Sequence, residues 1–486
     1  MKTKEWKVDF DKEPFLTILS LAKKRNIEIF LVGGYIRDKL IEMRNKEWKT
    51  KNISKPKDID FAISHSPINF GKSVADALDG SFVVLDERTA RVVLPGLLLD
   101  FSLIEESLEK DLERRDFTIN SLAYDFEKNI LVDLGFGLSD LDNCLIRSFE
   151  ENLKKDPIRL LRAVRFASEL SFEIEEKTKD YILKNARLIK DSASERIAYE
   201  LFEILKNKDS SKFLKLSYNL DILSSIFPEI ITLSSIEGRG YHHLDLLDHS
   251  FETVHQVEII MENLPILFPK WNSPIKDYLY ENISSDHPRY SLLKFIALFH
   301  DLGKPETIKE ENGRLKFIGH ERIGCEQTGR IGRRLKLSHK EISSAKRIVL
   351  NHMRVGTLIQ GGVITKKAVF RLSKDLEDDI IMLLILSLAD RYSAVGEATT
   401  DEDIQAHEDG IKVIFSFMLD IEEPIKPPKI INGLELMDRF NLPSSPLIGK
   451  LLSMVEEGWI DGKVKDKEDA FVFVENYLAK QNSSKI

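Results

Sequence analysis

The chain has 486 residues, 42% of them hydrophobic and 31% charged, with a formal net charge of −9. That length exceeds what one hydrophobic core supports, so three or four domains are expected, and the composition excludes a fibrous, disordered or membrane-spanning class. The longest apolar run, Ile380 to Leu388, falls far short of the ~20 residues a membrane span needs and reads as a buried helix. The opening MKTKEWKVDFDKEP lacks the apolar centre of a secretory signal, and two cysteines, Cys144 and Cys325, leave no disulfide framework, which fits a reducing cytoplasm. Net acidity argues mildly against nucleic acid. Between Glu151 and Leu220, however, 15 Lys and Arg stand against 12 Asp and Glu, a reversal that suits either a solvated helix surface or a binding face.

In chain order, Ile27 to Val32 reads as a strand stopped by Gly33 and Gly34 and followed at once by a helix. Glycines let backbone approach a ligand, a helix N-terminus offers unpaired N–H groups, and Arg37 lies one turn in with a fork of donors suited to phosphate. After a Lys-rich gap, Asp58 and Asp60 flank Ile59 at the head of a second strand, Ile59 to Ile63, on the same sheet face. Two such carboxylates repel unless a divalent cation lies between them, and Mg²⁺ with substrate phosphates is the natural occupant. Ser81 to Leu85, Arg91 to Leu94 and Leu97 to Phe101 read as three further strands, with Asp100 either a third metal-facing carboxylate or, preferably, a strand-end Asp.

These residues carry a resemblance. Gly33, Gly34, Arg37, Asp38, Asp58 and Asp60 meet the Gly-Gly-x-x-Arg-Asp and Asp-x-Asp pattern of the nucleotidyltransferases that include bacterial tRNA CCA-end nucleotidyltransferases and bacterial poly(A) polymerases. The likeness continues over roughly the first 200 residues. Leu112 to Asp125 (LERRDFTINSLAYD) has one core face and one face with two cations, taken as a helix. It resembles the family motif that holds triphosphate and ribose, which implies nucleotide binding by Arg115 and Asp116 with support from Asn120. Asp133 to Arg147 resembles the family's connector, read as a hinge. DPIRLLRAVRFASEL reads as a helix with Asp156 as N-cap and Pro157 in its first turn. Arg159, Arg162 and Arg165 form a stripe on it, either a plain exposed surface or, as the resemblance implies for Asp156 and Arg159, the reader of the incoming base. Lys155 departs from the acidic residue usual before that Asp. Glu195 and Arg196, in SERIAYEL, resemble the motif that braces the reading helix.

Past Gly238-Arg239-Gly240, histidines become dense: His249, the adjacent His300-Asp301, His320, His352, then Asp390. An adjacent His-Asp pair closing a buried helix is hard to leave unpaired. Across about residues 241–396 the order resembles the HD-domain metallophosphohydrolases with two metals, implying a divalent transition metal in a site either catalytic or structural. PIKPPK, Pro424 to Pro428, reads as a linker, and the segment beyond resembles the family's small helical tail, with Pro446, Gly449 and Lys450 at either an RNA contact or an ordinary helix start.

The expected architecture is α+β: a nucleotidyltransferase head with a mixed β-sheet (1–147), a helical neck (148–237), an HD domain (238–423), and a linker with a small helical tail (424–486). The implied activity is template-independent nucleotide addition (A, or C, C, A) to the 3′ end of tRNA with release of pyrophosphate, using Mg²⁺ and ATP, with CTP as a further substrate if C is added. The segment between Phe101 and Ser107 leaves no room for the flexible loop of enzymes that add both C and A. This shortened segment resembles that of A-adding enzymes and some poly(A) polymerases, so A addition after a separate CC-adding enzyme is expected. The alternatives are a bacterial poly(A) polymerase, or an HD phosphohydrolase with a nucleotide-sensing head.

Overall fold

The computed structural model describes residues 2–5, 10, 12–44, 58–234, 245–284, 286–311, 314–394, 399–420 and 428–483. The Lys-rich gap, Gly238-Arg239-Gly240 and all of the PIKPPK linker except Pro428 lie outside them, as do the expected boundaries at 237 and 423. Contacts divide the chain into two compact units, 1–204 with 216–226, and 205–215 with 227–486. The expected neck is therefore split, its first half belonging with the head.

In the first unit eight strands form one sheet: β1 (Lys2–Glu5), β2 (Ile29–Val32), β3 (Asp58–Ile63), β4 (Ser81–Asp86), β5 (Thr89–Leu94), β6 (Leu97–Leu103), β7 (Leu122–Asp125) and β8 (Ile130–Asp133). Their order is β1-β8-β7-β2-β3-β6-β5-β4, and the sheet is mixed, since β3 and β6 run parallel while the other pairs are antiparallel. The unit's main helices are α1 (Phe15–Arg25), α2 (Gly34–Arg44), α3 (Pro67–Leu78), α4 (Leu108–Glu113), α5 (Gly137–Asp142), α6 (Glu150–Lys155), α7 (Ile158–Leu170), α8 (Glu176–Asn185) and α9 (Ser194–Lys206).

Strand alternation sets the two sheet faces. Phe61, Phe101 and Ala90 are cross-strand neighbours on one face, where Phe70 of α3 meets Phe101 edge-on and Phe15 of α1 meets Phe61. Helix α3 starts as its sequence dictates, Ser66 accepting from the Asn69 N–H with Pro67 in the first turn. Asp60, Asp100 and Arg91 are cross-strand neighbours on the opposite face.

Three expectations need correction. Leu112 to Asp125 is no helix: α4 ends at Glu113, a 3₁₀ turn spans Thr118–Asn120, and Leu122–Asp125 is the buried strand β7. A four-residue strand is too short for its period to stand out. The connector after Asp133 is no loose hinge. Its Asp133 carboxylate accepts from the backbone N–H groups of Gly135, Gly137 and Leu138, and Arg147 is paired with Asp140 and Glu175. Asp156 does not cap α7, because its carboxylate is taken by Arg196.

The second unit is almost wholly helical. Ile380 to Leu388 is buried, as expected, within the helix Ile380–Ser393, which packs on the helix Leu246–Leu267. Lys294 is fully buried and donates to Glu258, Ser210 and the Asn207 carbonyl. Burial pulls its ammonium down to about 8 against the raising effect of Glu258. Near the C-terminus, Ile431, Leu436, Leu451, Val455, Val464, Ala470 and Val474 make a separate small core.

Candidate active site and metal centre

At the end of β2 the backbone turns through Gly33 with φ +78°, a left-handed conformation that side-chain-bearing residues rarely adopt. A Cβ there would lie 2.8 Å from Asp60 Oδ2 and 3.0 Å from Arg115 Nη1. The main chain thus passes between a carboxylate and a guanidinium that side-chain bulk would drive apart. Gly33→Ala is expected to lower nucleotide incorporation by roughly two orders of magnitude with little loss of secondary structure, since ångström-scale misplacement of reacting groups costs about that much; initial rates and circular dichroism check it.

Asp58 and Asp60 open β3 side by side on the face away from α1 and α3. Burial raises the Asp60 carboxyl above its usual range, Arg115 opposes this, and Asp100 and Asp58 add to it. Crowded carboxylates of this kind suit a hard divalent cation, and the donor set, all oxygen, fits Mg²⁺. Asp100 lies within β6, which runs on to Leu103, and not at a strand end. Arg91 holds both of its oxygens at 2.7 Å.

The Arg115 guanidinium is steadied by Asp111 at 3.2 and 3.3 Å. Asp116 accepts from the Phe117 N–H and from Asn120, and its other oxygen lies 3.1 Å from Arg162 Nε. Burial opposes its ionisation, but Arg162 and these hydrogen bonds hold its pKa below the usual value. Asn120 in turn accepts from Arg37 Nη1 at 2.8 Å. Arg37 is buried and also bonded to Asp38, so its fork organises the site from behind Gly34 and is not presented to phosphate. Asp156 takes a two-pronged bond from Arg196, 2.9 and 2.7 Å. Arg159 is anchored on the Asn152 carbonyl, with its Nε 4.0 Å from Asp156. Arg165 is not part of the presented stripe, being buried against Glu200 and Glu169.

Sequence reasoning passed over Phe166, whose ring carries the guanidiniums of Arg37, Arg162 and Arg165 at 4.9, 5.4 and 4.3 Å. Its place four residues after Arg162 on one helix was the available signal. Asn152 was also missed. It donates to the carbonyls of Glu113 and Arg115, and nothing local marks it.

In the second unit, His249, His300, Asp301, His320, His352 and Asp390 come together. Their ligand atoms form two groups, His249-His300-Asp301 and Asp301-His320-His352, each within 4.8 Å and sharing Asp301. His249 Nε2 lies 3.0 Å from Asp390. The Nδ1 atoms of His300, His320 and His352 each lie within 2.8 Å of a backbone carbonyl, which leaves Nε2 directed inward, as second-sphere bonding does for metal-ligating histidines. His300 Nε2 and Asp301 Oδ2 are buried without a hydrogen-bond partner. Burial, reinforced by His300, holds His352 down to about 4, in the neutral form that ligates. The orphaned atoms and the donor set fit divalent metal. Lys304, unmarked in the sequence reading, reaches Asp301 at 2.5 Å.

A mixed-sheet head with an Asp-x-Asp strand, an Arg-Arg-Asp turn and a helical reader defines a nucleotidyltransferase. Family models agree: "Poly A polymerase head domain" matches residues 88–147, "Probable RNA and SrmB-binding site of polymerase A" matches 171–233, and "HD domain" matches 246–395. The chain is 30% identical to an A-adding tRNA nucleotidyltransferase of Deinococcus radiodurans over 92% of its own length and 95% of that protein. It is 28% identical to a CC-adding tRNA nucleotidyltransferase of Thermus thermophilus, over 92% and 93%. In fold it is similar to a Thermotoga maritima CCA-adding enzyme complexed with tRNA, with a TM-score of 0.60, 21% identity, and 98% and 96% of the two chains covered. A CCA-adding enzyme complexed with CTP aligns with a TM-score of 0.63 at 20% identity, over 97% and 96%. The chain belongs to the tRNA nucleotidyltransferase family: it is an enzyme of template-independent nucleotide addition to the tRNA 3′ end. Among the described residues no helix is long and apolar enough to cross a membrane.

Proposed function

We propose that this enzyme adds A to tRNA already ending in CC, following a separate CC-adding enzyme. The observation that carries a single-base specificity is the connector between β6 and α4, only residues 104–107, with Ser107 capping α4. So short a link leaves the pocket one geometry and cannot re-form it between C and A. The link by itself does not say which base, and the choice of A rests on likeness to the A-adding relative. CC addition is the second reading, favoured by the CC-adding relative of similar coverage.

In the reaction the terminal 3′-oxygen of the RNA attacks the α-phosphorus of ATP. A P–O bond forms, pyrophosphate departs and the hydroxyl proton is lost. Asp58 and Asp60 hold Mg²⁺, which when bound supplies a lowered hydroxyl pKa and charge neutralisation on the triphosphate. The main chain at Gly33 and Gly34 seats phosphate beside Arg115, and Asp116, fixed by Asn120 and Arg162, takes the sugar. Asp156, oriented by Arg196, accepts from the adenine amine while Arg159 donates to a ring nitrogen. The HD residues hold a divalent transition metal, with phosphoester hydrolysis as the chemistry two such ions support. The four-part division into head, neck, HD domain and tail is kept, supported by the separate tail core. A cytoplasmic location accords with the two free cysteines.

One gel tests the proposal. tRNA ending in the discriminator base, C or CC is incubated with ATP or CTP singly. A single A on the CC substrate is expected. Two C residues added from CTP would establish the CC reading, and long A tails on generic RNA would establish a poly(A) polymerase. Arg159→Ala is expected to reduce the preference for A over C by about 1–3 kcal/mol, roughly 5- to 150-fold, measured as the ratio of kcat/KM values. An equal loss with both nucleotides would remove Arg159 from base reading.

A further inference from the structure

The metal face has three carboxylates in neighbouring strands, but only two are offered. Asp100 stands directly beside Asp60 in the parallel β3–β6 register, and Arg91 stands beside Asp100 in the antiparallel β5–β6 register. Both Asp100 oxygens are engaged by Arg91 at 2.7 Å, in the bidentate geometry that fixes a carboxylate most firmly. The pair is sheltered, with side-chain exposures of 33% for Arg91 and 17% for Asp100. Among the described residues, the only groups of three acidic, His or Cys ligand atoms within 4.8 Å are in the HD region. Asp58, Asp60 and Asp100 therefore do not converge, although the register sets Asp60 and Asp100 side by side.

We propose that Arg91 is a positioning residue that withdraws Asp100 from the metal face, leaving a two-carboxylate site that takes its divalent ion together with the triphosphate. This rests on the reading of Asp58 and Asp60 as the metal-holding pair. Three free carboxylates would carry a charge of −3 and retain a divalent ion permanently. With Arg91 in place the group totals −2, and the coordination shell is completed by substrate oxygens, as is usual for Mg²⁺. Arg91 also keeps a unit positive charge within Coulombic range of Asp58 and Asp60, which weakens attraction for a bare cation.

Equilibrium Mn²⁺ binding to the full-length protein, read by electron paramagnetic resonance, tests this. With a non-hydrolysable ATP analogue present, the wild type should show a class of bound Mn²⁺ that Asp58→Asn with Asp60→Asn lacks. If no such class exists, the metal-face reading itself fails. In the absence of nucleotide, Arg91→Gln should hold that class roughly tenfold tighter than wild type. Arg91→Lys, which keeps the charge, should stay within about twofold. The double variant Arg91→Gln with Asp100→Asn should return to wild-type affinity, because it removes one charge of each sign. With ATP and tRNA, Arg91→Gln should lower kcat while reducing the Mg²⁺ concentration needed for half-maximal rate. Mn²⁺ affinity in Arg91→Gln equal to or weaker than wild type overturns the proposal, with circular dichroism confirming that each variant is folded.

Discussion

Replacing Asp58 and Asp60 together by Asn is expected to lower AMP incorporation into tRNA by at least about 10³-fold while leaving the melting temperature nearly unchanged. A bound divalent ion supplies several kcal/mol of charge stabilisation in the transition state, and each ~1.4 kcal/mol is a factor of ten in rate. The fold should tolerate the change. Asp58 is exposed at the start of β3, and burial already disfavours the ionised form of Asp60, so a neutral isostere relieves repulsion at that position. Incorporation of labelled ATP into tRNA ending in CC, followed over a Mg²⁺ series, gives the measurement. Retained metal-dependent incorporation in the double variant would remove these residues from catalysis.

Asp301→Ala should empty the HD centre in a single step. Asp301 is common to both ligand groups and lies 3.3 Å from His300, 3.4 Å from His320 and 3.7 Å from His352, so its loss disables both at once. Metal content by elemental analysis should fall from near-stoichiometric to about a tenth of that or less. His249→Ala, which touches one group only, should leave metal in the other. Because an ion that binds only the folded state stabilises it by mass action, the wild type should melt at a lower temperature after treatment with a chelator, and the Asp301→Ala protein should show no such response. Full metal content in Asp301→Ala would reduce the cluster to a buried polar core.

The two halves of the molecule differ in what their sequence reveals. The Gly-Gly turn and the Asp-x-Asp strand are legible because each chemical role lies within a few residues and the strand period places both carboxylates on one face. The histidines are legible as residue types, but their sorting into two groups around Asp301 depends on five helices meeting and has no local trace. The strand β7 was hidden because Leu122 to Asp125 is buried throughout and so shows no alternation. Arg37 and Arg165 misled in the same way, since an arginine reads as an available cation until its partners, Asn120 and Asp38 in one case and Glu200 and Glu169 in the other, are known. The bond from Arg196 to Asp156 joins positions 40 apart and explains why a residue suited to cap α7 does not do so.

The Asn152 side chain carries a mechanical consequence. It stitches the start of the reading segment to the carbonyls on either side of Arg114, and Ser148 adds a bond to the Asp116 carbonyl at 2.6 Å. The turn that grips the nucleotide's sugar and phosphate and the segment that inspects its base are thus sewn together along their backbones. Neither can swing without tearing the other's seam. After each addition it is therefore the RNA end that must shift to make room, since the mould itself has no joint there to open.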